Sequence, residues 1–258
     1  MKDLVEYEII NRAAYITINR PEKKNALNPQ LVEMLTEAFW KARTDNLAKV
    51  IILRAKGDVF SAGADLGYLQ MLQNNTIEDN FVDTIALKDL LYSIYTLPKV
   101  VIAQVEGHAI AGGCGLASVC DIIFSVPEAK FGYTEVKIGF IPALVICFLV
   151  RKLGDGRTRE LLLSGELIDS NTASRYGLIN FIVAKDEIAQ KVKDYAEKLA
   201  GSVSGESIAL TKQLLNNAQN KSLEDSLEEA IKLNVQTRSS PECKRGISAF
   251  LNKEKLEW

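Results

Sequence analysis

One histidine and four cysteines in 258 residues, with no Cys-x-x-Cys pair, leave this chain without the usual ligands for a zinc site. Cys114, Cys120, Cys147 and Cys243 are therefore expected to be reduced, mostly buried thiols. Long apolar runs are missing too. The longest, such as Phe140 to Val150, fall well short of the roughly 20 residues that span a bilayer, so no membrane segment is expected. The opening MKDLVEYEII scatters acidic residues where a leader would be basic and then apolar, and a cytoplasmic location follows as the expectation. A formal net charge of −2 gives no global electrostatic footprint for nucleic acid or an anionic membrane. No Walker A sequence and no G-x-S-x-G elbow occurs, and Gly113-x-Gly115 lacks the third glycine of a dinucleotide fingerprint because Ser118 stands there. His108, with no nucleophile motif beside it, is read as structural. Serine hydrolases and nucleotide phosphohydrolases drop out.

What is present is ordinary globular material, 47% hydrophobic and 25% charged, enough for one large core or two small ones. Leu4 to Ile10 and Ala13 to Ile18, rich in Val, Ile and Tyr, read as a hairpin turning at Asn11-Arg12. Apolar residues at helical spacing from Pro29 to Arg43 lead into Val50 to Leu53, a short run of buried-strand type. The cycle recurs as a helix over Phe81 to Tyr95 and a strand over Val100 to Val105, then as a Gly-rich turn, a helix and the strand-like Asp121 to Ser125. This order predicts an α/β domain with a largely parallel sheet and the hairpin at its edge. After about residue 185 only helical segments remain: Asp186 to Gly201, Ser204 to Ala218, Leu223 to Thr237 and Pro241 to Lys253. The expected division is an α/β core over 1–185 and a helical region over 186–258. The course of Tyr68 to Thr84 is left as a loop.

Two glycine-containing turns follow strands: Phe60-Ser61-Ala62-Gly63-Ala64-Asp65 and Ala111-Gly112-Gly113-Cys114-Gly115. Each can aim backbone N–H groups into a crevice at the carboxyl ends of parallel strands, and two such groups make an oxyanion hole. Either turn alone also fits simple punctuation. Glu135 lies in Ala129-Lys130-Phe131-Gly132-Tyr133-Thr134-Glu135-Val136-Lys137-Ile138-Gly139, among apolar and glycine residues whose desolvation would raise its pKa into a range useful for proton transfer. The same residue, taken by itself, equally fits a surface carboxylate paired with Lys137 or Lys130.

Together, Phe60-Ser61-Ala62-Gly63-Ala64-Asp65-Leu66, Gly107-His108-Ala109-Ile110-Ala111-Gly112-Gly113 and Phe131-Gly132-Tyr133-Thr134-Glu135 through Ile141-Pro142 resemble the crotonase (enoyl-CoA hydratase/isomerase) family in order and spacing. Supporting matches run from Ile18-Asn19-Arg20-Pro21-Glu22-Lys23-Lys24-Asn25-Ala26-Leu27 to the terminal helix with Phe250 and Lys253. The resemblance implies a spiral core of ββα units, with C-terminal helices that assemble trimers, often paired into hexamers. It implies an acyl-CoA thioester substrate and no metal or redox cofactor. By motif position Ala64 and Gly112 would donate N–H groups to the thioester oxygen, and Glu135 would be the acid/base. The backbone around Ala62, Asp65 and Leu66 would meet the adenine, while Lys24, Phe250 and Lys253 would belong to the CoA site. The sequence departs from the best-known hydratases at one point: they carry two glutamates, and Gly115 occupies the place of the first. A single glutamate serves either hydration of a 2-enoyl-CoA or Δ3,Δ2-isomerisation. The segments Gly113 to Asp121 and Glu135 to Val145 look most like bacterial methylglutaconyl-CoA hydratases of leucine breakdown. A catalytically silent CoA-binding protein on the same fold is the rival from another class.

Overall fold

A computed structural model describes residues 3–258; Met1 and Lys2, which open the segment read for a leader, lie outside them. The chain begins with the expected hairpin, β1 (Val5–Ile10) against β2 (Ala13–Ile18). Asn11 and Arg12 turn it with φ of 47° and 67°, the doubly left-handed geometry that matches strand twist. Helix α1 (Pro29–Thr44) follows, capped by Asn28, whose side chain accepts from Leu31 N. It buries Leu31, Leu35, Phe39 and Ala42 along one stripe.

Three similar passages come next. The first is β3 (Val50–Ala55), β4 (Val59–Ser61), α2 (Leu66–Leu72) and α3 (Ile77–Tyr95). The second is β5 (Val100–Val105), β6 (His108–Ile110) and α4 (Gly112–Ser118). The third is β7 (Ile122–Ser125), β8 (Lys130–Gly132), a 3-10 turn over Glu135–Ile138 and α5 (Ala143–Ser164), the last broken at Gly154. β9 (Ile168–Asp169), α6 (Ser170–Tyr176) and β10 (Phe181–Ile182) complete the strand-bearing part. The first strand of each passage joins a six-stranded sheet of order β1-β2-β3-β5-β7-β10, and the second joins a four-stranded sheet of order β4-β6-β8-β9. The parallel strands of the large sheet are covered on both faces, so Val50 to Leu53 is buried throughout without polar alternation.

α7 (Ile188–Ser202) sets Ile188, Val192, Ala196 and Ala200, each four residues apart, against β2, β3, β5 and β7. The switch to helix near residue 185 is thus a change of secondary structure, while packing on the sheet continues through α7. Beyond it, α8 (Gly205–Ala218), α9 (Leu223–Ser239) and α10 (Pro241–Asn252) pack mainly on one another. Leu223, Leu227, Ile231 and Val235 form an exposed stripe along α9.

Three expectations change. Tyr68 to Thr84 is largely helical, spanning the end of α2 and the start of α3, where Thr76 and Asp79 form a reciprocal capping box. Only Cys114 and Cys120 are buried, because Cys147 lies on the outward face of α5 and Cys243 is half-buried on α10. The third is the small sheet: its strands of two or three residues carry no period, so the residue pattern gives a single sheet, and only the resemblance, through its ββα units, implies a second strand in each passage.

Candidate active site

Strands β4, β6 and β8 lie side by side and parallel, with Ser61 opposite Ala109 and Ile110 opposite Gly132. Neighbouring strands stand about 4.8 Å apart. Their carboxyl ends therefore deliver three loops to one place: the turn with Ala64, the turn with Gly112, and the turn with Glu135. Ligand crevices of α/β proteins form at such strand ends.

The first turn is held from behind by the loop after β2. Asn25, fully buried, donates to the carbonyls of Lys56 (2.8 Å) and Val59 (2.7 Å) and accepts from Arg20 N (2.9 Å). Leu27 then bonds the turn as a parallel strand would: Leu27 N donates to Gly63 O (2.7 Å) and Asp65 N to Leu27 O (2.8 Å). Peptide groups alternate in direction along an extended chain, so the Ala64 N–H, lying between those two bonds, faces away from Leu27. In the second turn the Gly112 N–H begins α4, where a helix has no internal acceptor. No acceptor among the described residues takes either N–H. The turns touch: a side chain at Gly63 (φ 89°) would reach within 2.9 Å of Ala111 Cβ. Ala111 itself sits at φ 50°, ψ −126°, a costly conformation for a residue with a Cβ, and this ψ sets the plane carrying the Gly112 N–H.

Glu135 opens the 3-10 turn, and its Oε2 is buried without a hydrogen-bond partner. Burial raises its pKa, opposed only in part by a bond from its own backbone N–H. The surface-pair alternative is not what forms: Lys137 pairs with Glu166 at 2.7 Å, and among the described residues no ion pair joins Lys130 to Glu135. Close by lie Tyr133, fully buried, and the Cys114 thiol, which burial pushes up to about 12. Burial thus keeps that thiol protonated at neutral pH. At Gly115 a Cβ would come within 2.5 Å of Val145 Cγ1, so the first turn of α5 fills the place of any side chain there. Glu135 has no partner carboxylate at position 115.

The other sequence candidates are placed unevenly. Ala62 lies beside Lys24, donating its N–H to the Lys24 carbonyl at 3.0 Å. The Asp65 carboxylate is engaged within the fold: it caps α2 through Gly67 N and Tyr68 N and pairs with Arg20 at 2.7 Å. Burial pushes this carboxyl up, but the bonds from Tyr68 N, Arg20 and Gly67 N together outweigh it and hold it below the usual range. Leu66 is exposed at the start of α2. Phe250 is exposed on α10 and Lys253 ends that helix in the left-handed conformation; among the described residues no hydrogen bond or ion pair ties either to the two turns. His108 accepts from Lys130 N at 3.2 Å, tying β6 to the start of β8. Sequence reasoning quoted Arg20, Asn25 and Val145 within motifs but gave none of them a role. The Asp65 cap was open to a capping rule, whereas the Val145 contact spans thirty residues with no local signal. No cluster able to hold a metal occurs among the described residues, and no helix there is long and apolar enough to cross a membrane.

Comparison with known proteins agrees with this fold. The family profile described as enoyl-CoA hydratase/isomerase matches residues 8–258. A Thermus thermophilus protein assigned as an enoyl-CoA hydratase is 38% identical over 240 residues, covering 93% of this chain and 94% of its own. The short-chain-enoyl-CoA hydratase of Clostridium acetobutylicum is 30% identical over 248 residues, covering 95% and 94%. The crystal structure of a protein assigned as an enoyl-CoA hydratase/isomerase (crotonase) from Legionella pneumophila superposes with a TM-score of 0.90 at 36% identity, over 98% of both chains. With a family profile over residues 8–258 and relatives 30% and 38% identical over more than nine-tenths of both chains, this chain belongs to the enoyl-CoA hydratase/isomerase family.

Proposed function

We propose that the protein hydrates a 2-enoyl-CoA thioester, with Glu135 as its single acid/base. One observation carries the reading: a half-buried carboxylate with one buried, unpartnered oxygen and two unengaged N–H donors stand at the ends of adjacent parallel strands. The thioester oxygen accepts from Ala64 N–H and Gly112 N–H, and these stabilise the enolate as charge develops, one such donor being worth about 3–4 kcal/mol of barrier. The water oxygen bonds to the β-carbon, Glu135 takes that water's proton, and a proton passes from Glu135 to the α-carbon. Raised by burial, its pKa suits a group that must both accept and give a proton. The chemistry asks for no metal or redox cofactor.

The nucleotide of CoA falls to the backbone of Ala62, Asp65 and Leu66, with Lys24 near the phosphates; Phe250 and Lys253 join from the C-terminal helix. The narrower substrate is 3-methylglutaconyl-CoA, a reading that rests on the motif through Val145 and is tested by a panel of enoyl-CoA thioesters. One observation favours a second reading, Δ3,Δ2-enoyl-CoA isomerisation: with Val145 packed at Gly115, no carboxylate stands at 115 to orient a water. Product analysis on 2-enoyl and 3-enoyl substrates separates the two. The exposed α9 stripe and Ile247, Phe250 and Leu251 on α10 suit a trimer or a dimer of trimers in the cytoplasm, and a monomer by light scattering would overturn that assembly.

The direct test of the mechanism is Glu135→Gln, with Glu128→Gln and Glu166→Gln as exposed controls. The expected result is a fall in kcat of roughly 10²–10⁴ with acyl-CoA affinity little changed, since general acid–base catalysis is worth about that much. Near-wild-type turnover by the Glu135 variant refutes the assignment.

A further inference from the structure

α4 is a two-turn helix of seven residues whose first N–H, at Gly112, is the proposed oxyanion donor. The direction of that N–H is the direction of the helix. Two close approaches locate α4 sideways: a Cβ at Gly113 would fall 2.5 Å from Ser61 Cβ, and one at Gly115 the same distance from Val145 Cγ1. Its far end is held by a cation. Lys152 Nζ donates to the carbonyls of Ser118 (2.7 Å) and Cys120 (2.8 Å), groups that the end of a helix leaves without internal partners. Val145, Leu149 and Lys152 recur at helical spacing, so one face of α5 supplies both the wedge at Gly115 and the clamp at Ser118.

We propose that Lys152 is a positioning residue for the Gly112 donor, its ammonium fixing the axis of α4 so that the Gly112 N–H stays aimed at the thioester oxygen. The inference rests on the oxyanion reading given above. Lys152 forms no ion pair among the described residues. The titratable groups facing it are Cys120, Asp121 and Cys114, from α4 and the chain after it, and Lys212 of α8. Asp121 is already taken by Lys212 (2.6 Å) and Val101 N (2.8 Å). Burial lowers the Lys152 pKa below 10.5, while it pushes both thiols up to about 12. The charge on Lys152 is therefore lost on the alkaline side before either thiol ionises.

The test is steady-state kinetics of the full chain on a 2-enoyl-CoA it turns over, comparing wild type, K152M and K152R across pH. K152M is expected to lose roughly 10- to 100-fold in kcat with KM within about twofold, the pattern of a displaced catalytic group. Wild-type kcat should fall on the alkaline side, K152M should show no such limb, and K152R, charged at every working pH, should keep the plateau and move the limb upward. Wild-type kcat in K152M, or a loss confined to KM, overturns the proposal. If K152M does not fold, K152R decides alone, and an unmoved alkaline limb overturns it. A wild-type chain inert on every enoyl-CoA overturns the functional reading and this inference together, whereas an active chain indifferent to Lys152 overturns only this inference.

Discussion

Gly115 offers a test in which two ordinary rules predict opposite signs. Within a helix, Gly→Ala stabilises by about 0.8–1.0 kcal/mol because alanine loses less backbone entropy. At position 115 the new Cβ would stand 2.5 Å from Val145 Cγ1, inside the 3.0 Å that real Cβ atoms respect. Val145 has little room to yield: it is β-branched, 5% exposed, and stiff at χ1 in the helix it occupies. Overpacking of this kind costs about 1–3 kcal/mol, so packing outweighs propensity and Gly115→Ala should destabilise. Each kcal/mol is worth about 2–4 °C in a domain of this size, which makes the fall measurable by calorimetry. Val145→Ala removes the clash, because the next nearest atom, Val145 Cβ, is 3.8 Å away and in ordinary contact. In the Val145→Ala background, Gly115→Ala should therefore turn stabilising, with a coupling of about 1–3 kcal/mol in the double-mutant cycle. A single Gly115→Ala variant that melts at or above wild type, or additive effects in the cycle, would show that Val145 does not fill this place.

Glu135→Gln should raise stability at neutral pH while it lowers turnover. Burial of this carboxyl favours its neutral form, so wild type loses stability relative to the variant as pH rises from the ordinary carboxylate value of 4.5 through the raised one, and the advantage of the variant vanishes below 4.5; a gap between the two denaturant midpoints that does not change with pH would count against the burial argument. Asp65→Ala removes the α2 cap, worth about 1 kcal/mol, and a charge-assisted bond to Arg20, worth about 1.5–3 kcal/mol, so a loss of about 2–4 kcal/mol is expected at pH 7. Because this carboxyl is held below 3.8, its contribution is present above that value and lost as pH falls through the depressed one; the variant and wild type should converge in strongly acid solution, and a constant gap would refute the pairing.

Most of the large sheet was legible because its strands are long enough to carry a pattern. Val50 to Leu53, Val100 to Val105 and the hairpin all announce themselves by β-branched apolar runs, and α1 and α7 to α10 by a period near four. The small sheet was not legible, although it brings the site together, because Val59–Ser61, His108–Ile110 and Lys130–Gly132 have too few residues to show alternation. Only the segments at the carboxyl ends of these strands left a mark in the sequence: a glycine turn after β4, a second after β6 and a glutamate after β8. The candidate site divides along the same line. Ala64, Gly112 and Glu135, the proposed catalytic groups, stand in local motifs that a sequence displays; Val145 and Lys152 touch α4 from thirty or more residues away and look, in sequence, like an ordinary core valine and a surface lysine. Gly115 is the point where the two kinds of information meet. Sequence resemblance marks a missing carboxylate there, and packing explains why the position stays empty of any side chain: α5 is in contact with it, so a glutamate could stand at 115 only if Val145 also changed. The two positions should therefore be read as one unit, and a chain with a larger residue at 115 would need a smaller one at 145 to keep the same helix in the same place.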